Sequence, residues 1–271
     1  MNPVYIASVG LLAPGLDGWA GARATLRGTH RYRPQGISAS APEMLPANER
    51  RRATALTRIA LMAAQDALAN CSTEMRTPIA SDLRTVFASS HGDAAITDRI
   101  CRTLSTSERA VSPTDFHNSV HNAPAGYWSI GTRSQTASTS VSLLDGTFSA
   151  GLLEAITIAG VESAPVLLVA YDIPLPFPLC EVEKVGAPFA VALILTPEKM
   201  GQDHVAAHAT LRADVEEAQL EDPDLESLRL GNPAARSLTL LKSLADTNGA
   251  AEQRTVLPYL DDCRVEIATT R

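Results

Sequence analysis

The chain has 271 residues, 45% of them hydrophobic, and a formal net charge of −7 at pH 7. That length and apolar content can bury one full core, with or without a small appendage, while the negative charge argues against nucleic acid or an anionic membrane as the main partner. No apolar run reaches the roughly eighteen residues of a membrane-spanning helix and the N-terminus lacks a basic-then-apolar leader pattern, so a cytoplasmic protein is expected.

In chain order the pattern is α/β. Val4 to Val9 reads as a buried strand. Pro46-Ala-Asn-Glu49 signals a helix start, and Ala53, Leu56, Ile59, Ala60, Ala63, Ala64, Ala67 and Leu68 form an apolar helical stripe. On its first turns stand Arg50, Arg51, Arg52 and Arg58, a positive cluster where the helix dipole does not favour cations. Thr85 to Ser89 is the next strand, followed by a helix near Ala94 to Leu104 and an element from Ser112 through Trp128 with a break near Pro124. Further strands are predicted at Thr136 to Leu143, Val166 to Ala170 and Val191 to Leu195. The Pro-rich stretch Ile173 to Pro178 is a stiff loop. Beyond Thr196, His204 to Val215 alternates weakly and Leu220 to Leu230 is ambiguous. Asn232 and Pro233 cap and start a helix that runs to Leu244, and Cys263 to Ala268 reads as a final edge strand.

The most informative segment runs from Thr136 to Gly160. Its first part is rich in β-branched and small residues in near alternation, and helical spacing begins at Phe148, directly after Asp145-Gly146. This strand, sharp turn and helix have the form of a nucleophile elbow, in which the tip residue lies beside free helix N–H groups that stabilise a thiolate or oxyanion. No cysteine lies within it. Asp145 is a weak nucleophile for acyl transfer, and its short side chain before Gly146 is expected to cap the helix. Thr147 and Ser149 supply hydroxyls, but either would need a histidine base brought from elsewhere.

The remaining reactive residues form no recognisable site. Cys71, Cys101, Cys180 and Cys263 lack CxxC pairing, so neither zinc nor disulfides are expected. His117 and His121 are four apart, as are His204 and His208, which on a helix would put both rings on one face. Neither pair is an HExxH motif, and neither has a third ligand at a recognisable spacing. No metal and no cofactor are expected.

Several segments together carry a family resemblance: Val4 to Gly15 as an opening strand and glycine turn, Arg58 to Leu68, Val86 to Gly92, His121-Asn-Ala-Pro-Ala-Gly-Tyr-Trp-Ser-Ile130, and Ala164 to Val169 after the elbow helix. Over roughly the first two hundred residues the chain resembles the N-terminal half of the β-ketoacyl synthases of the thiolase superfamily. The resemblance implies an α/β fold: a single thiolase-like half, a mixed sheet flanked by helices over residues 1–200, with a short α+β C-terminal extension, 201–271, packed on it. It also places the family's active cysteine on Asp145. In complete ketosynthases a second half brings two histidines, whereas this chain has a short tail whose His204 and His208 stand in no such motif.

Most closely, the chain resembles the chain length factors that pair with active ketosynthases, and among them the shortened versions of aryl polyene pathways. That likeness implies a noncatalytic partner of a full-length β-ketoacyl synthase, or of a second copy of itself, in polyketide, fatty-acid-like or aryl polyene synthesis. It implies an acyl tunnel lined by Val120, Trp128, Leu144 and Phe148. It further implies a dimer interface built on Thr136, Ser138, Ser140, Ser142, His117 and His121, and an indirect acyl-carrier-protein contact at Arg50, Arg51, Arg52 and Arg58, a cluster whose plainer reading is a solvated helix face. A self-sufficient acyltransferase or hydrolase with a relocated Ser/Thr nucleophile, and a homodimeric acyl-binding module, stay open at this point.

Overall fold

The computed structural model describes residues 3–37, 42–71, 79–246 and 252–271. Its strands are β1 (Val4–Ala13), β2 (Leu16–Asp17), β3 (Arg84–Ala88), β4 (Ser138–Val141), β5 (Val166–Asp172), β6 (Phe189–Thr196), β7 (Val205–Arg212), β8 (Glu252–Leu260) and β9 (Cys263–Thr270). They join one sheet in the order β4-β3-β5-β6-β1-β7-β9-β8, with β2 paired to β1. The β4, β3 and β5 strands run parallel, and the remaining pairs are antiparallel. Every residue of β5 and β6 is buried, which is why both read as continuous apolar runs rather than alternating ones.

The helices are α1 (Trp19–Leu26), α2 (Ala47–Arg52), α3 (Ala55–Ala69), α4 (Ile79–Asp82), α5 (Ala94–Leu104), α6 (Pro113–Asn118), α7 (Ala123–Thr132), α8 (Thr147–Glu162), α9 (Leu179–Val182), α10 (Pro223–Leu230) and α11 (Leu238–Ala245). One core forms where α3 and α7 pack on one sheet face, with Ile59, Ala63 and Trp128 against Leu167, Val169 and Ile194. The second forms on the opposite face, where Phe148 and Leu152 of α8 and Leu241 of α11 meet Val86, Leu168 and Leu193. Side-chain alternation along β3 and β5 sends successive residues to these two cores. Gly10 lets α3 approach β1 closely, since a Cβ there would sit 2.0 Å from the Ala63 carbonyl oxygen.

The α/β expectation of a mixed sheet flanked by helices holds, and several local expectations are corrected. The single helix expected through the arginine cluster is two: Ala53 is extended, and the Thr54 side chain caps α3 by accepting a hydrogen bond from the Thr57 N–H at 3.2 Å. Arg50, Arg51 and Arg52 therefore end α2 rather than begin a long helix, and the dipole there favours them. The break expected at Pro124 falls earlier, at 119–122, and Pro124 sits in the first turn of α7, where a missing N–H costs nothing. β9 is not an edge strand. It lies between β7 and β8, because alternation reports which face is buried and not which edges are paired. β4 is shorter than expected but does form one edge of the sheet.

The segment Leu144–Glu162 is long and apolar enough to cross a membrane by length and composition, yet half of that length is buried inside the protein. Phe148, Leu152, Ala155, Ile156 and Ala159 of α8 belong to the second core. Its apolar content thus serves packing between the sheet and the C-terminal segment.

Candidate functional site

Three parallel strands end together, and the segments that follow them form the site: 89–92 after β3, the elbow after β4, and Asp172 at the end of β5. The elbow consists of a 3-10 turn at Leu144–Gly146 leading directly into α8. Thr147 ties it together, since its Oγ1 accepts a hydrogen bond from the Leu143 N–H at 2.9 Å and donates to the Leu144 carbonyl at 2.6 Å. A Cβ on Gly146 would lie 2.3 Å from the carbonyl oxygen of Tyr259, so glycine is required where β8 crosses the turn. Leu144 has φ 43°, a left-handed conformation costly for a branched side chain, and it is 65% exposed.

Asp145 does not cap α8, contrary to the sequence-based expectation. Its Oδ2 accepts from Arg236 Nη2 at 2.7 Å, and the position before α8 is Gly146, with no side-chain cap. Arg236 also lies 3.7 Å from Glu217, which Arg229 and Arg264 each approach to 3.4 Å. Arg229 is almost fully buried and makes two further hydrogen bonds to Glu226, which hold that carboxyl below the usual carboxylate range. This charge network, contributed mainly by residues 217–264, fixes the elbow tip. Sequence reading missed it, because apart from the i,i+3 pair Glu226–Arg229 its partners are far apart along the chain, and no local spacing links them to Asp145.

Behind the elbow, Asp172 is buried and gathers donors from the loop after β3. Ser89 Oγ donates to it at 2.9 Å, the Ser90 N–H at 3.0 Å and the His91 N–H at 3.4 Å. Burial raises the Asp172 carboxyl to about 7, against these hydrogen bonds, which lower it. The same loop accepts from Ser142 Oγ at the Ser90 carbonyl and from His121 Nε2 at the Ser89 carbonyl, both at 2.8 Å. A lone acidic residue closing an apolar strand was the one available sign of this clamp.

The residues singled out in the sequence separate into several settings. Thr136 Oγ1 donates to the Leu83 carbonyl at 2.6 Å and Ser138 Oγ accepts from Thr85 Oγ1 at 2.7 Å, while Ser140 Oγ is buried without a partner. These hydroxyls turn inward, and the free backbone edge of β4 faces out. His117 is exposed on α6 and stacks edge-on against Tyr127, whereas His121 lies in the link to α7, so the two rings share no helix face. His204 lies just before β7 and His208 within it. No group of three metal-ligating side chains occurs among the described residues.

Val120 and Leu144 are exposed, whereas Trp128 and Phe148 are fully buried in the two cores on opposite sheet faces. Thr147 and Ser149 are fully buried as well. The Thr147 hydroxyl is committed to backbone, and Ser149 Oγ has no partner, so no histidine activates either. Arg50 donates to the Leu45 carbonyl and Arg58 to the Ala53 carbonyl. Arg51 and Arg52 line a cleft of about 490 Å³ together with Thr54, Asp93, Arg99 and Asp115.

Residues 26–253 match the family described as beta-ketoacyl synthase, N-terminal domain. No curated protein matches. Among solved structures, a chain of the ketosynthase (ApeO) in complex with its chain length factor (ApeC) from Xenorhabdus doucetiae is 23% identical with a TM-score of 0.72, all of both chains being covered. A chain of the ishigamide ketosynthase/chain length factor is 13% identical with a TM-score of 0.74 over 99% of each chain. A beta-ketoacyl synthase from Burkholderia phymatum STM815 is 11% identical with a TM-score of 0.64, again over the whole of both chains. At these identities the structural likeness establishes a shared fold.

Proposed function

Because the chain belongs to the beta-ketoacyl synthase N-terminal-domain family, we propose that it is a noncatalytic, chain-length-factor-like subunit that pairs with a full-length β-ketoacyl synthase in the cytoplasm. The carrying observation is the elbow itself. Where the family resemblance sets the nucleophilic cysteine, this chain has Asp145 in an ion pair with Arg236. Condensation needs a nucleophile, a proton-handling pair and an oxyanion site within reach of one another. Asp145 is held by a guanidinium, and the buried hydroxyls of Thr147 and Ser149 have no base.

The open edge of β4 supports pairing with another sheet, since its outward backbone groups are otherwise left to solvent. Exposed Leu144 follows that edge directly, and with Val120 it is the natural contact for an acyl chain growing from the partner's cysteine. Arg51 and Arg52 at their cleft supply a positive surface for an acidic carrier protein during polyketide, fatty-acid-like or aryl polyene synthesis. The matched complexes named as a ketosynthase with a chain length factor support the same assembly.

Co-expression with a full-length ketosynthase tests the proposal. The expected result is a one-to-one complex in which acyl groups load on the partner only. A well-behaved monomer that ignores every co-expressed ketosynthase overturns the partner role. An acyl adduct on this chain alone would instead assign it its own acyl-transfer chemistry.

A further inference from the structure

Four places along the sheet from β4, one edge of β1 is only partly covered. β7 pairs with β1 over Val4–Ile6 alone, and β2 covers it again only from Leu12. A cleft of about 240 Å³ opens over the gap, with Val9, Trp19 and Leu244 as its apolar wall and Arg23, Arg271 and Asp203 as its charged groups. The Nε of Arg23 is buried and has no hydrogen-bond partner among the described residues. Arg271 directs Nη2 to the Leu244 and Asp246 carbonyls at 2.9 and 2.8 Å, and among the described residues neither arginine forms an ion pair with a side-chain carboxylate. Among the described residues Asp203 forms no ion pair either, so two guanidinium side chains face one carboxylate side chain across the cleft.

Arg23 and Arg271 both line this cleft without a carboxylate partner, and guanidinium groups are matched in geometry to carboxylate and phosphate oxygens. We propose that this cleft is a binding site for a small oxyanion, a carboxylate or a phosphate, received by Arg23 and Arg271 with its substituent against Trp19. The site does not depend on the ketosynthase-partner reading.

The test titrates the full chain with sodium phosphate and, separately, with sodium butyrate at constant ionic strength, following thermal midpoint and Trp19 fluorescence. A saturable rise with either anion is expected, and its identity distinguishes phosphate from carboxylate. In Arg23→Gln the affinity should fall at least tenfold while the anion-free midpoint stays level or rises, because an unsatisfied donor is gone. Arg23→Lys, which keeps the charge but loses the fork, should also bind more weakly and guards against a misfolded glutamine variant. No saturable response to either anion, or unchanged affinity in both variants, overturns the proposal.

Discussion

The carboxylate of Asp145 and the guanidinium of Arg236 lie 2.7 Å apart although 91 residues separate them. The pair joins the elbow tip to the C-terminal segment. Its two ends differ in setting, since the Asp145 side chain is 55% exposed and that of Arg236 only 10%. Screening by water makes the aspartate replaceable, whereas the arginine also serves Glu217. Asp145→Asn is therefore expected to cost under about 1 kcal/mol and Arg236→Met roughly 1–3 kcal/mol in chemical denaturation. The reverse order would show that the elbow does not depend on this network.

Incubation with an acylated carrier protein should leave the purified chain at its unmodified mass. Asp145→Cys should not restore condensation, because the described residues place no histidine pair at the elbow. Intact-protein mass spectrometry reads both outcomes, and a stoichiometric adduct on the wild-type chain within 145–149 would contradict the noncatalytic reading.

The open edge of β4 can be probed without touching the ladder inside the chain. The N–H groups of Thr85 and Ser89 donate to the Ala137 and Val141 carbonyls, so odd-numbered positions, including Thr139, face β3 and even-numbered ones face outward. Ser140→Pro should abolish association and leave a folded chain, while Thr139→Pro should damage the chain itself. Light scattering and circular dichroism separate the two. Equal dimerisation of Ser140→Pro and wild type would move the interface elsewhere.

Leu144 is held outward at a backbone strain that glycine does not feel. Leu144→Gly is expected to be neutral or to stabilise by up to about 1 kcal/mol, whereas Leu144→Ala keeps the strain. Both should shift product lengths in the reconstituted heterodimer if this side chain meets the acyl chain. Phe148→Ala is no equivalent probe, because Phe148 is fully buried and its loss should cost roughly 3–5 kcal/mol. Unchanged products in both Leu144 variants would leave this subunit a scaffolding role.

Asp172 makes stability depend on pH. The folded chain keeps on this carboxyl, up to about 7, a proton that the unfolded chain releases near 3.8. Its stabilising contribution is thus complete below the lower value and is lost as pH rises through the upper one. In Asp172→Asn the fall in unfolding free energy between those limits should flatten. Denaturation curves at stepped pH measure it, and parallel profiles for variant and wild type would place the carboxyl's titration outside this range.

The α/β pattern, the elbow and its missing cysteine were legible in the sequence, because periodicity and turn chemistry act between residues close together in the chain. β5 and β6 announced themselves as apolar runs; Asn232 does accept from the Ala234 N–H at 2.8 Å, but what it starts is a 3-10 turn at Ala234–Ser237, and the expected helix begins only at Leu238. Tertiary structure alone decided what Asp145 does, since a partner 91 residues away leaves no local signal and overrides the cap its neighbours favoured. It also decided that β9 is interior and β8 the edge, and that Phe148 is buried while Leu144 projects into solvent. Those outcomes depend on which surfaces meet after the chain has folded, and alternation or spacing along the sequence carries no record of that.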